Sequence, residues 1–151
     1  MRMNYERFLK DKLIKKQKPD FKQIDYQLKR SLEDLKTAEA NLKIDLTWLI
    51  TIAYHAMIRV GRALMYSKGY LPTVKNSHKT IVEFTKLTLG NEYHNLTSRF
   101  NRMRRRRHDF IYNSKNHLTI NEAKTSLRVA EKLINTISDL VEQERLQIEL
   151  F

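Results

Sequence analysis

The chain has no cysteine, and in 151 residues it has only three glycines, two prolines and one tryptophan. Without cysteine there are neither disulfides nor thiolate metal sites, which fits a reducing compartment. So little glycine and proline leaves few places for tight turns and hairpins, which disfavours a sheet-rich fold. There is no long apolar run either. The most hydrophobic stretch, LTWLITIAYHAMIRV at 46–60, is broken by His55 and Arg59 and falls short of the roughly 20 apolar residues that span a bilayer. The N-terminal MRMNYERFLKDK lacks the apolar centre of a signal peptide. No glycine-rich phosphate loop and no serine-nucleophile elbow occurs, so the common NTPase and hydrolase classes fall away. No histidine pair with carboxylate support has metal-ligand spacing. The expectation is a cytoplasmic protein with no membrane segment, no metal and no cofactor.

What the chain does have is helix-forming residues and positive charge. Leu, Lys, Arg, Glu and Ala are abundant, which points to an all-α fold, and the length suits one domain, 1–151. The formal net charge is +12, which favours a polyanionic partner, since each cationic contact to phosphate releases counterions. The excess is uneven. Residues 1–22 carry eight Lys or Arg against three acids and residues 99–109 six Arg against one, whereas residues 121–151 carry four bases and six acids.

Periodicity places the elements. Pro19-Asp20 separates a basic N-terminal arm or helix, 1–19, from a bundle spanning 20–149. Asp20 and Gln23 have capping-box spacing, and Ile24, Leu28, Leu32, Leu35, Ala38 and Leu42 form one apolar helix stripe. Asp45 can cap a second helix, whose apolar positions, from Trp48 to Leu64, cover more than one face and predict the most buried element. Gly69 ends it. Ser77 starts a third helix carrying Ile81, Val82, Phe84 and Leu87, closed by Gly90. A fourth uses Tyr93, Leu96, Phe100, Met103, Phe110 and Ile111. After NSKNH, Thr119 and Glu122 have capping-box spacing before a final helix with Ala123, Leu127, Ala130, Ile134, Ile137 and Val141 inward. An antiparallel up-and-down bundle of four to five helices accommodates these stripes.

The fourth helix holds NRMRRRRHDFIYN at 101–113, five arginines in the six positions 102–107 followed by His108. Arginine runs are usually solvated. Four consecutive arginines, however, cannot share one solvent face. Arg107 falls where the inward stripe of Phe100, Met103 and Phe110 would continue, so a guanidinium near the core boundary requires an acidic helix face or a phosphate. Arg104, His108 and Tyr112 share a stripe, successive members about 40° apart. Among the other histidines, His55 reads as a hydrogen-bonded core residue, His78 lies near a helix start, and His94 and His117 read as exposed. Tyr54, Tyr66 and Tyr70 read as packing residues with hydroxyls at the edge, and the N-terminal lysines as a solvated arm.

Two segments together resemble the HEPN (higher eukaryotes and prokaryotes nucleotide-binding) domain family over about residues 46–141. The first, AYHAMIRVGRALMYSKGYLPTVKNSHKTIVEF at 53–84, looks like the family's aromatic and small-residue helix, Gly-aromatic turn and Ser-His-Lys helix start. The second, RMRRRRHDFIY at 102–112, is similar to its signature of an arginine, four to six residues and a histidine. The resemblance implies a four- or five-helix bundle, often a homodimer with the Arg and His of two chains facing one cleft. It implies a metal-independent endoribonuclease, commonly the toxin of a toxin-antitoxin pair or a phage-defence effector. His108 matches the motif histidine and Arg102 its arginine as catalytic residues, with RNA as the partner of Arg104, Arg105, Arg106, Arg107 and Tyr112. On an unbroken helix Arg102 and His108 are about 120° apart, so the helix is distorted, the pair acts across a dimer, or Arg104 or Arg105 takes the role. The alternative is a non-catalytic nucleotide- or partner-binding module associated with a small nucleotidyltransferase, which in the toxin case would serve as the antitoxin.

Overall fold

The computed structural model describes residues 4–112 and 118–150, with the backbone alone for 110–112. Among these residues six α-helices follow in order: α1 (Glu6–Lys10), α2 (Phe21–Ala40), α3 (Leu46–Ser67), α4 (Ser77–Leu89), α5 (His94–Tyr112) and α6 (Ile120–Leu150). Two three-residue strands, β1 (Ile14–Lys16) and β2 (Tyr70–Pro72), pair antiparallel, Lys15 opposite Leu71. The fold is an all-α bundle. Among the described residues no helix is long and apolar enough to cross a membrane.

Side chains that accept backbone N–H groups set the helix starts. Asp20 accepts from the N–H groups of Lys22 and Gln23 at the start of α2, and Asp45 from that of Trp48 at the start of α3. Thr119 Oγ1 accepts from the N–H of Glu122 in α6. Each satisfies donors that the first helical turn leaves unpaired. Gly90, at φ 79°, closes α4 where a Cβ would be strained.

Helix α3 is the centre of the bundle and packs on α2, α4, α5 and α6. Leu49, Ala53, Tyr54, Ala56, Met57, Val60 and Leu64 have no exposed surface, so it is buried on several faces, as its sequence implies. Trp48 departs from that pattern. It is 55% exposed because it lies within about 20° of the exposed His55 on the outward face of α3, while Leu49 beside it is buried. Leu32 and Leu87, at the edges of their stripes, are exposed as well.

The N-terminal arm is not merely solvated. Its lysines point outward, but Tyr5, Phe8 and Ile14 are buried. The Tyr5 ring stacks on Phe84 at 4.2 Å and its hydroxyl meets Thr88 Oγ1 at 2.8 Å. The β1–β2 pairing fixes the arm to the chain leaving α3. That link runs back along α3, so α4 begins beside Tyr54 rather than beside the end of α3. The side chains of Phe110, Ile111 and Tyr112, the NSKNH break and His117 lie outside the described residues.

Candidate nucleic-acid interface

Helix geometry divides the arginines of α5 between two walls. At about 100° per residue, Arg99, Arg102 and Arg106 fall within a sector of about 60°. With α6 they line a cleft of about 590 Å³ floored by Ile50, Met103 and Val129, with Thr125 and Ser126 on the far wall. Arg106 is held there by Glu122, Nε to Oε2 at 3.0 Å and the second guanidinium nitrogen to Oε1 at 3.4 Å. Arg102 is exposed at the rim.

The opposite side of α5 faces the start of α4. Arg104 is half-buried and its Nε donates to Asn101 Oδ1 at 3.2 Å. His108 is exposed, about 40° around the helix from Arg104 and about 120° from Arg102. Helix α5 is continuous through both, so one chain brings His108 together with Arg104 and not with Arg102. Arg105 is exposed.

Arg107 points inward, where the stripe of Phe100 and Met103 continues. Its guanidinium carbon lies 5.6 Å from the centroid of the Tyr54 ring, a cation–π arrangement. Its Nε is buried and has no hydrogen-bond acceptor among the described residues. Tyr54 is completely buried, and its hydroxyl lies 3.0 Å from Nδ1 of the half-buried His78. Burial pushes the Tyr54 phenol up to about 12, against the opposing pull of Arg107 and Arg104. Burial, then Arg107, His55, Arg62 and Arg104, lowers the pKa of His78. Its ring is therefore neutral near pH 7, and which group donates in the Tyr54–His78 bond follows from the ring nitrogen that carries the proton.

His55 is a correction to the sequence reading. It is exposed, not a hydrogen-bonded core residue, because it stands about 100° around α3 from the buried Tyr54. Its pKa is lowered by partial burial and by Arg107, while Asp34 opposes them. His94 is exposed, as expected, near Ser98 Oγ. The sequence names Tyr54 as a packing residue and places His78 near a helix start, but does not bring the two together as the structure does. The available signal was the seven-residue interval between Tyr54 and Gly61, which puts both within about 20° on one inward face.

The arrangement is a band of cations on both sides of α5 with the neutral His78 ring at one edge. It can bind phosphate through guanidinium groups and exchange protons through imidazole. Among the described residues no group of three or more His, Cys, Asp or Glu side chains could hold a metal ion. Searches of curated proteins and of solved structures gave no match. The family model of the HEPN domain matches residues 24–140, from the first buried residue of α2 to the middle of α6. The chain therefore belongs to the HEPN domain family.

Proposed function

We propose that the chain is a metal-independent endoribonuclease that cleaves RNA by attack of a 2'-hydroxyl on the adjacent phosphate. One observation carries this reading: α5 presents His108 and Arg104 one turn apart on one face, while Arg99 and Arg102 line a cleft on the other. In the reaction the 2'-oxygen–phosphorus bond forms and the phosphorus–5'-oxygen bond breaks. His108 takes the 2'-hydroxyl proton or gives one to the leaving 5'-oxygen, and a guanidinium stabilises the charge gathering on the phosphoryl oxygens. The products are a 2',3'-cyclic phosphate and a 5'-hydroxyl. Arg104 supplies that guanidinium from the same chain. Arg102 does so only from a second copy, which a homodimer would provide. DNA lacks the nucleophile and stays intact. Such an enzyme suits the toxin of a toxin-antitoxin or phage-defence system, acting on RNA in the cytoplasm and held in check by a nucleotidyltransferase-type antitoxin.

The test is incubation with labelled single-stranded RNA in EDTA, with product ends mapped. His108→Ala should lower the rate by about 10²–10⁴-fold, and Arg104→Ala, or Arg102→Ala if the site is shared between copies, should do the same. Undiminished cleavage by His108→Ala, or a requirement for a divalent ion, overturns the proposal. The second reading, a nucleotide- or partner-binding module without catalysis, is favoured by the α5–α6 cleft. Its volume of about 590 Å³ lies in the range of small-molecule sites. Nucleotide binding without cleavage is its outcome.

A further inference from the structure

We propose that His78 contacts the RNA backbone, presenting Nε2–H to a non-bridging phosphate oxygen, and that Tyr54 is the positioning residue that holds its ring for that contact. The ligand is a phosphodiester, so the inference rests on the RNA reading above, but it does not need the chain to cleave.

Three observations converge on the junction of α3, α4 and α5. The Tyr54 hydroxyl lies 3.0 Å from Nδ1 of His78. That ring nitrogen is thereby occupied, and Nε2, one ring carbon away in a half-buried ring, is left for a ligand. Tyr54 cannot turn away, because its ring is completely buried between the Arg107 guanidinium and Phe100, at 5.6 and 6.4 Å. Finally, Arg107 keeps a buried Nε–H with no acceptor among the described residues. The charges acting on His78 come from Arg107, Arg62 and Arg104, with His55 alongside and no carboxylate among them. A site rich in cations and without an opposing carboxylate is complementary to a phosphate group.

The phenol holds its proton to about pH 12 and is placed to donate it to Nδ1, the arrangement in which the imidazole carries its own proton on Nε2. If its hydroxyl is removed, the imidazole proton can sit on either nitrogen, and the Nε2 donor is present only part of the time. Tyr54 thus acts through His78 and does not touch the RNA.

The test uses the full chain and RNA 2'-O-methylated at every position, which cannot be cleaved. Imidazole nitrogen NMR on the wild type should show His78 with its proton on Nε2 and that nitrogen shifting when the RNA is added. His78→Gln places an amide donor near the Nε2 position and should keep affinity within about threefold. His78→Asn, which keeps a group at the Nδ1 position only, should weaken binding by about tenfold, the scale of a hydrogen bond to a charged group. Tyr54→Phe should also weaken it and should mix the two ring tautomers. A proton on Nδ1 in the wild type, an Nε2 signal unmoved by RNA, or equal affinity for the Gln and Asn variants overturns the proposal. If unmodified RNA survives the wild type while these shifts and losses occur, the nuclease reading fails and this one stands. If His108→Ala abolishes cleavage while the His78 variants bind like the wild type, the reverse holds. Absence of RNA binding by the wild type overturns both.

Discussion

Gly61 and Ile81 set the approach of α3 to α4: a Cβ on Gly61 would lie 2.6 Å from Ile81 Cγ2 and 3.2 Å from Thr85 Oγ1. Only a glycine lets the two helices meet this closely. The same contact, about one to two turns away, sets His78 against Tyr54. Gly61→Ala should therefore cost about 1–3 kcal/mol of stability, as overpacking does. In an Ile81→Ala background the same change should cost much less, because the obstructing methyl is gone. Urea unfolding of the four proteins of this cycle checks it, and additive costs would show that Ile81 is not what Gly61 accommodates.

Arg107 should be nearly dispensable for folding. Its Nε has no acceptor among the described residues, so replacing it by Met keeps contact with the Tyr54 ring and relieves a desolvated donor. Arg107→Met should unfold within about 1 kcal/mol of the wild type, while binding 2'-O-methyl RNA about tenfold more weakly. A stability loss above about 2 kcal/mol would mean that the guanidinium is structurally paired.

Stability should decline on the acid side of neutrality. The pKa values of His78 and His55 lie below the ordinary value of 6.5, so the unfolded chain binds protons that the folded chain refuses. Above pH 6.5 both states hold neutral rings and nothing is lost. As pH falls from 6.5 through the folded-state values, unfolding takes up protons and the folded state is disfavoured. The urea midpoint should fall over that window, and His78→Gln should make the fall shallower. A wild-type midpoint that is flat between about pH 7 and 5 would contradict the burial of His78.

The N-terminal arm is a stabilising part of the bundle. Tyr5 stacks on Phe84 with an 11° angle between rings and meets Tyr70 edge-on at 5.3 Å. Tyr5→Ala should cost about 3 kcal/mol, measured by denaturant unfolding. Limited proteolysis should then cut the arm while the rest of the bundle resists.

Removing the carboxylate from the α5–α6 cleft separates binding from stability. Arg106 and Glu122 are each about a third exposed, so their pairing contributes about 1 kcal/mol or less. Glu122→Gln should change unfolding by no more than that and should tighten RNA binding a few-fold, with a steeper salt dependence, because one repulsive charge is gone. Unchanged affinity at low salt would place RNA away from this cleft.

The sequence by itself determined the helices and the charge. Asp20, Asp45, Thr119, Gly69 and Gly90 mark helix ends through local hydrogen bonds and backbone conformation, which depend on near neighbours in the chain. The 3.6-residue stripes named most of the core, and the inward position of Arg107 followed from the same geometry. The burial of Tyr5 and Phe8, the exposure of Trp48 and His55 and the β1–β2 pairing were decided by tertiary structure. Periodicity gives the face of a helix but not what lies opposite it. The meeting of Tyr54 and His78 is of that kind. The chain between them, 24 positions from one to the other, runs out along α3 and back past β2, and their juxtaposition depends on a close helix contact at Gly61 that no local interaction specifies.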